Sequence, residues 1–139
     1  NFENTQMQQS AERIDFNAGS WYTHGIVLQG YTNRGQVLGA GIGPSGSSQT
    51  LDFSVWNKNR YFGVELERYA HNLDFYYNVY PDNYKHKWVD LSINTYAYHR
   101  YKNWGIQAKL NTVWMANYQY QEDHGKLNLQ IQFALQYHL

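Results

Sequence analysis

Glu65 and Glu67 are the pair in this chain best spaced for acid–base chemistry. On an extended strand, residues i and i+2 share a face, about 7 Å apart. Two carboxyl groups held so are what a glycoside hydrolase requires, one as acid and one as base or nucleophile. The surrounding residues give a simpler account, because Phe62, Val64 and Leu66 alternate with Gly63, Glu65 and Glu67. The two acids then line the polar side of an amphipathic strand. Six histidines, His24, His71, His86, His99, His124 and His138, invite a metal, but no two sit at ligand spacing on one element. Surface or interface histidines are expected, with no metal. Glu122-Asp123 reads as a solvated turn, and Gly39 to Gly46 lacks the lysine and the strand–helix setting of a phosphate loop. There is no nucleophile elbow. No catalytic residue, no enzymatic activity and no cofactor are expected.

The elements that would position these groups are strands. From Leu127 to Leu139 every odd residue is large and apolar or aromatic, and every even residue is polar or small. Such alternation gives one strand with two unlike faces. Its thirteen residues exceed the roughly five or six usual in soluble sheets and suit a membrane-spanning strand of about ten. Similar alternation runs through 49–56, 61–69, 88–100 and 104–120, and a strand-like run covers 21–29. Residues 1–18 show no period; they are expected to be irregular or to hold a short helix over 6–13. The glycine-rich stretch 30–48 and the stretch 70–87, with Pro81, Asp82 and Asn83, are expected as long loops.

Composition narrows the class. The net charge is zero, so there is no electrostatic footprint for nucleic acid, and there is no cysteine for a disulfide or a thiolate site. Apolar runs are too short for a membrane helix, yet the chain has fourteen Tyr, five Trp and six Phe. Backward from the C-terminus the connections are four, three, about eighteen, three and about eighteen residues long. Short turns on one side and long loops on the other are the habit of bacterial outer-membrane barrels. Trp104 and Trp114 share a face ten residues apart, roughly 25 Å along the membrane normal at the usual strand tilt. Asp52, Glu65, Glu67, Asp90 and Lys109 all fall opposite the apolar face. Arg68 has apolar-side parity near a strand end, where it could meet headgroups. Tyr96 and Tyr98 have the parity of the polar side, which calls for a bulge or a plugged interior. The expected fold is therefore all-β, an antiparallel transmembrane β-barrel. Residues 1–139 form a single barrel segment, with about six strands in 20–139. Because the smallest closed barrels have eight strands, the chain is expected to be the C-terminal strands of a larger barrel or to need partner strands. The lipid-facing belt is expected at Trp104, Trp114, Tyr118, Phe133 and Tyr137.

Tyr22-Thr23-His24-Gly25, then Gly30-Tyr31, Gly35 and Leu38-Gly39 with further glycines to Gly43, resemble the pattern near the C-terminus of the Wzi capsule-assembly family. Glu67-Arg68, His71-Asn72 and Asp74-Phe75-Tyr76 resemble members of it too, and the likeness covers most of 20–139. The resemblance implies a large monomeric outer-membrane barrel that attaches capsular polysaccharide as a lectin, without catalysis. Members of that family are much longer than this chain. The residues themselves suit a polymer of sugars. Tyrosines offer flat faces and hydroxyls to sugar rings, and cations such as Arg34 and Lys85 pair with acidic groups. The candidate polysaccharide site is Tyr31, Asn33, Arg34 and Gln36 in the first loop with Tyr76, Tyr77, Tyr80, Asp82 and Tyr84 in the second. Expected partners are outer-membrane lipid, a surface polysaccharide, and other outer-membrane proteins or the rest of the same barrel. The expected location is the bacterial outer membrane. Alternative functions are a structural barrel subunit of a larger complex, a porin-like channel, or a soluble β-sandwich or lipocalin-like binder.

Overall fold

The computed structural model describes residues 1–7, 32–33, 36–37, 41–80 and 85–138. Five long alternating segments pair in sequence, each with the next. They are β4 (Ser47–Asn57), β5 (Arg60–Ala70), β6 (Val89–Tyr101), β7 (Trp104–Ala116) and β8 (Lys126–Tyr137). β1 (Phe2–Gln6) joins as a sixth strand beside β4, giving the antiparallel order β1-β4-β5-β6-β7-β8. A separate two-stranded ribbon pairs β2 (Thr32–Asn33) with β3 (Gln36–Val37). β1 lies where irregular chain or a helix is expected. Its only large apolar residue is Phe2, too little to register as a pattern. The expected strand at 21–29 lies outside the described residues.

This sheet is open. β1 and β8 form its two edges, and among the described residues they do not pair with each other. The expectation of an antiparallel transmembrane β-barrel, alone or as the C-terminal strands of a larger one, is overturned by this. With it fall the functions that depend on a barrel: attachment of capsular polysaccharide by an outer-membrane barrel, a structural barrel subunit, and a porin-like channel. The described strands enclose no lumen to carry a polymer or an ion. The physical reason is that alternation specifies two unlike faces but neither strand number nor shear, and closure depends on those. No helix among the described residues is long and apolar enough to cross a membrane.

The connections divide between the two ends of the sheet. Tight turns join Asn57 to Arg60 and Tyr101 to Trp104 at one end. At the other end lie 41–46, the connection from β5 to β6 and the connection from β7 to β8. The β5–β6 connection contains a two-turn helix, α1 (Leu73–Val79), instead of plain loop. The Asn72 side chain accepts from the Phe75 amide at 3.2 Å, and Asp74 sits in the first turn, where an acid favours the helix start. β7 stops at Ala116, four residues short of the expected 120. Asn117 there takes a left-handed backbone (φ 51°), which Asn tolerates, and a single 3-10 turn follows over Tyr118–Tyr120. Its side-chain amide donates to the carbonyls of Lys85 at 2.7 Å and Lys87 at 3.0 Å, tying the two loops together.

Tyr96 and Tyr98 need no bulge, because the β5–β6 and β6–β7 registers run unbroken. Each ring folds over a glycine of a neighbouring strand, where a β-carbon would collide with it: Tyr96 over Gly63, Tyr98 over Gly105. Tyr98 also stacks on Tyr61 at 5.2 Å. Aromatic rings that cover bare glycine backbone stabilise a sheet locally.

Candidate functional site

Because the registers hold without slip, one face collects the apolar side chains of every long strand. β4 supplies Leu51, Phe53 and Val55; β5 supplies Phe62, Val64 and Leu66; β6 supplies Leu91, Ile93 and Ala97. β7 adds Trp104, Ile106, Ala108, Leu110 and Trp114, and β8 adds Leu127, Leu129, Ile131, Phe133, Leu135 and Tyr137. Phe2 of β1 extends the face next to Leu51. Nothing within the chain covers it among the described residues: Phe133 is 76% exposed, Val55 75% and Phe53 61%. Among the described residues the buried apolar ones are Ala70, Leu73 and Tyr76, all at the loop end by α1. A contiguous exposed apolar surface on this scale marks contact with lipid or another molecule.

The ends of this face differ from its middle. Near the tight turns are Arg60, His99, Tyr101, Trp104 and Tyr137, with the Trp104 and Tyr137 rings 4.9 Å apart. Near the loop end are Gln49, Arg68 and Trp114. Arg68 is exposed and donates from Nη1 to Gln49 Oε1 at 2.8 Å. It borders a groove of about 460 Å³ lined by Phe2, Leu51, Leu66, Leu91, Ile93 and Trp114. Aromatic and cationic side chains at the rim of an apolar band are the composition of a membrane interface.

The opposite face is polar and internally bonded. Asn94 donates to Glu65 at 2.8 Å, Ser48 to Glu67 at 2.8 Å, Tyr96 to Asp52 at 2.6 Å and Gln107 to the Tyr61 hydroxyl at 3.1 Å. Glu65 and Glu67 therefore share a face, each bonded to its own neighbours. At the loop end of this side lies an aromatic nest. His71 Nε2 is 2.8 Å from Asp90 Oδ2, and Trp88 Nε1 donates to Asp90 Oδ1 at 2.8 Å. The His71 ring stacks on Trp88 at 3.7 Å, and Tyr69 meets His71 edge-on at 4.4 Å. The Tyr120 hydroxyl donates to the His71 carbonyl at 3.3 Å, and burial pushes its pKa up to about 12. In the first turn of α1 the buried Asp74 accepts from the Ser45 hydroxyl. No group of three or more His, Asp or Glu is placed to hold a metal among the described residues.

The residues singled out by sequence are distributed as follows. Trp104, Trp114, Phe133 and Tyr137 lie on the apolar face. Tyr118 does not: it follows the end of β7, 5.2 Å edge-on from Trp88, with the Lys126 ammonium 3.8 Å over its ring. Of the polysaccharide candidates, Tyr31, Arg34, Asp82 and Tyr84 lie outside the described residues. Asn33 pairs with Gln36 in the small ribbon. Tyr76, on the inward side of α1, is completely buried, its ring 5.3 Å from Tyr77 and 5.7 Å from Tyr80, so it offers no surface to a sugar. Sequence reasoning did not find the His71–Trp88–Asp90–Tyr120 nest. Its members come from three separate segments, and no short spacing connects them. Of the residues that carry the Wzi resemblance, Tyr22 to Gly25, Gly30, Tyr31, Gly35, Leu38 and Gly39 lie outside the described residues, while Glu67, Arg68, His71, Asn72 and Asp74 to Tyr76 lie within them. Compared with protein-family models, curated proteins and solved structures, the chain matches none of them.

Proposed function

We propose that the chain is a non-catalytic lipid-contact sheet that rests by its apolar face on the surface of the bacterial outer membrane. The observation that carries this reading is the unbroken parity of β4 to β8. It gathers every large apolar strand residue of one parity on one uncovered face and keeps charge to that face's ends. An open sheet cannot be immersed in hydrocarbon, because the outward N–H and C=O groups of β1 and β8 would go unsatisfied there. Laid on the bilayer with the apolar face down, the same edges reach hydrated headgroups. Arg60, Arg68 and the rim aromatics then sit at headgroup level, where amphipathic side chains are stable.

The test is flotation with phospholipid vesicles, followed by tryptophan quenching with bromine-labelled acyl chains. Wild-type protein is expected to float with vesicles and to be quenched. In a Trp21→Phe background, replacing Trp104 and Trp114 by Phe should remove most of the quenching, since Trp56 and Trp88 lie on the opposite side. Failure to float, or quenching unchanged in the double variant, would overturn the reading. A compact dimer that stays with the aqueous phase would instead identify a protein layer as the cover.

A further inference from the structure

Among the described residues Arg68 is the only charged side chain of the apolar face at its loop end, and it stands at the mouth of the groove between Leu51, Leu66, Leu91, Ile93 and Trp114. Resting on the lipid-contact reading, we infer that this groove holds one acyl chain of an anionic, phosphate-bearing lipid whose headgroup is bound by Arg68. Three features of the site select that ligand. First, the groove's exposed lining is mostly apolar, from Phe2, Leu51, Leu66, Leu91, Ile93 and Trp114 with the polar Gln49 and Thr112 among them, and at about 460 Å³ it is large enough to take a length of hydrocarbon chain. Second, the guanidinium is oriented. One Nη donates to Gln49, while no carboxylate lies within ion-pair distance of Arg68 among the described residues. Glu67, its neighbour in sequence, points to the other face and is bonded to Ser48. The remaining donors form a planar fork suited to two oxygens of a phosphate. Third, charge and grease are adjacent. Arg68 pairs across the strands with Leu91, and Leu91 with Trp114, so headgroup and chain sites are continuous. A zwitterionic lipid would bring its own cation to compete with Arg68, and a free phosphate would leave the groove empty.

The experiment uses the full chain with two kinds of vesicle, phosphatidylcholine alone and phosphatidylcholine mixed with phosphatidic acid, at low salt. The mixed vesicles are expected to bind about fivefold more tightly than the neutral ones for the single favourable Arg contact. Bromine placed only on the phosphatidic acid should quench beyond its share of the lipid. That excess should persist in Trp104→Phe and vanish in Trp114→Phe. Arg68→Gln should abolish both the preference and the excess, with Arg68→Lys keeping the preference and losing most of the excess. Equal binding to both vesicles, or an Arg68→Gln variant that keeps the excess, overturns the inference and leaves the lipid-contact reading standing. Absence of binding to either vesicle overturns both. Soluble phosphate that competes away all preference without acyl quenching would reduce the site to an anion contact and overturn the groove.

Discussion

The ring of Tyr96 occupies the space that a side chain at Gly63 would need, one strand away. From there its hydroxyl reaches on to Asp52 at 2.6 Å, so one residue of β6 spans β5 and bonds to β4. Glycine in a strand is ordinarily a weakness; here it is the seat of a cross-strand clamp. Gly63→Ala is expected to destabilise the sheet by about 1–3 kcal/mol, because the ring must leave and its bond to Asp52 goes with it. In a Tyr96→Leu background the same change should cost much less. Urea unfolding of the two single variants and the double variant measures this coupling, and simple additivity would refute the clamp.

Asp90 holds two donors at once, His71 and the Trp88 indole, and so fastens the start of the long β5–β6 connection to β6. Asp90→Ala leaves both without an acceptor and should cost roughly 2–3 kcal/mol. Hydrogen exchange should quicken first in 71–80, while the centres of β6 and β7 change little. Uniform loss of protection throughout the sheet would show that the nest is not a local fastening.

Tyr120 gives the pH dependence. Its pKa is raised from an ordinary 10.0 to about 12, so the folded protein holds the phenol proton more tightly than the unfolded chain does. The associated stability is complete below the unfolded value and is lost as pH rises through 10.0 toward about 12, where the unfolded state ionises first. Subtracting the denaturation profile of Tyr120→Phe from that of wild type isolates this step from the other tyrosines. A flat difference across that window would rule it out.

Phe133 projects from the middle of β8 into the open, 76% exposed, so its replacement should leave the sheet intact. Phe133→Lys should retain the wild-type circular dichroism and yet weaken vesicle binding by about tenfold or more, since the ammonium must be desolvated or must snorkel away. Gln132→Lys, one residue along and on the opposite face, should bind vesicles like wild type. Equal loss in both variants would mean that general charge, not the face, governs binding.

Much of the strand layout was legible from alternation alone. The runs expected at 49–56, 61–69, 88–100 and 127–139 coincide with β4, β5, β6 and β8 to within about two residues at either end, which is the precision period-two patterns permit. Within the long strands, which residues share the greasy face was equally legible, because parity is a local property that survives wherever no bulge interrupts it; Tyr118, expected there, falls past the end of β7. The end of β7 was not. It depends on Asn117 bonding to carbonyls of Lys85 and Lys87, some thirty residues away. Nor was α1, whose short amphipathic turn is held by the buried Asp74 and Tyr76 instead of by any strong helical period of its own.

Sequence by itself determined two unlike faces and the side on which each charge would fall, since a strand reverses its side chains at every residue. Tertiary structure alone decided that the sheet stays open, that Phe2 joins its apolar face, and that His71, Trp88, Asp90 and Tyr120 meet at the loop end. These outcomes depend on pairing between distant segments, and neither local periodicity nor residue type carries that information.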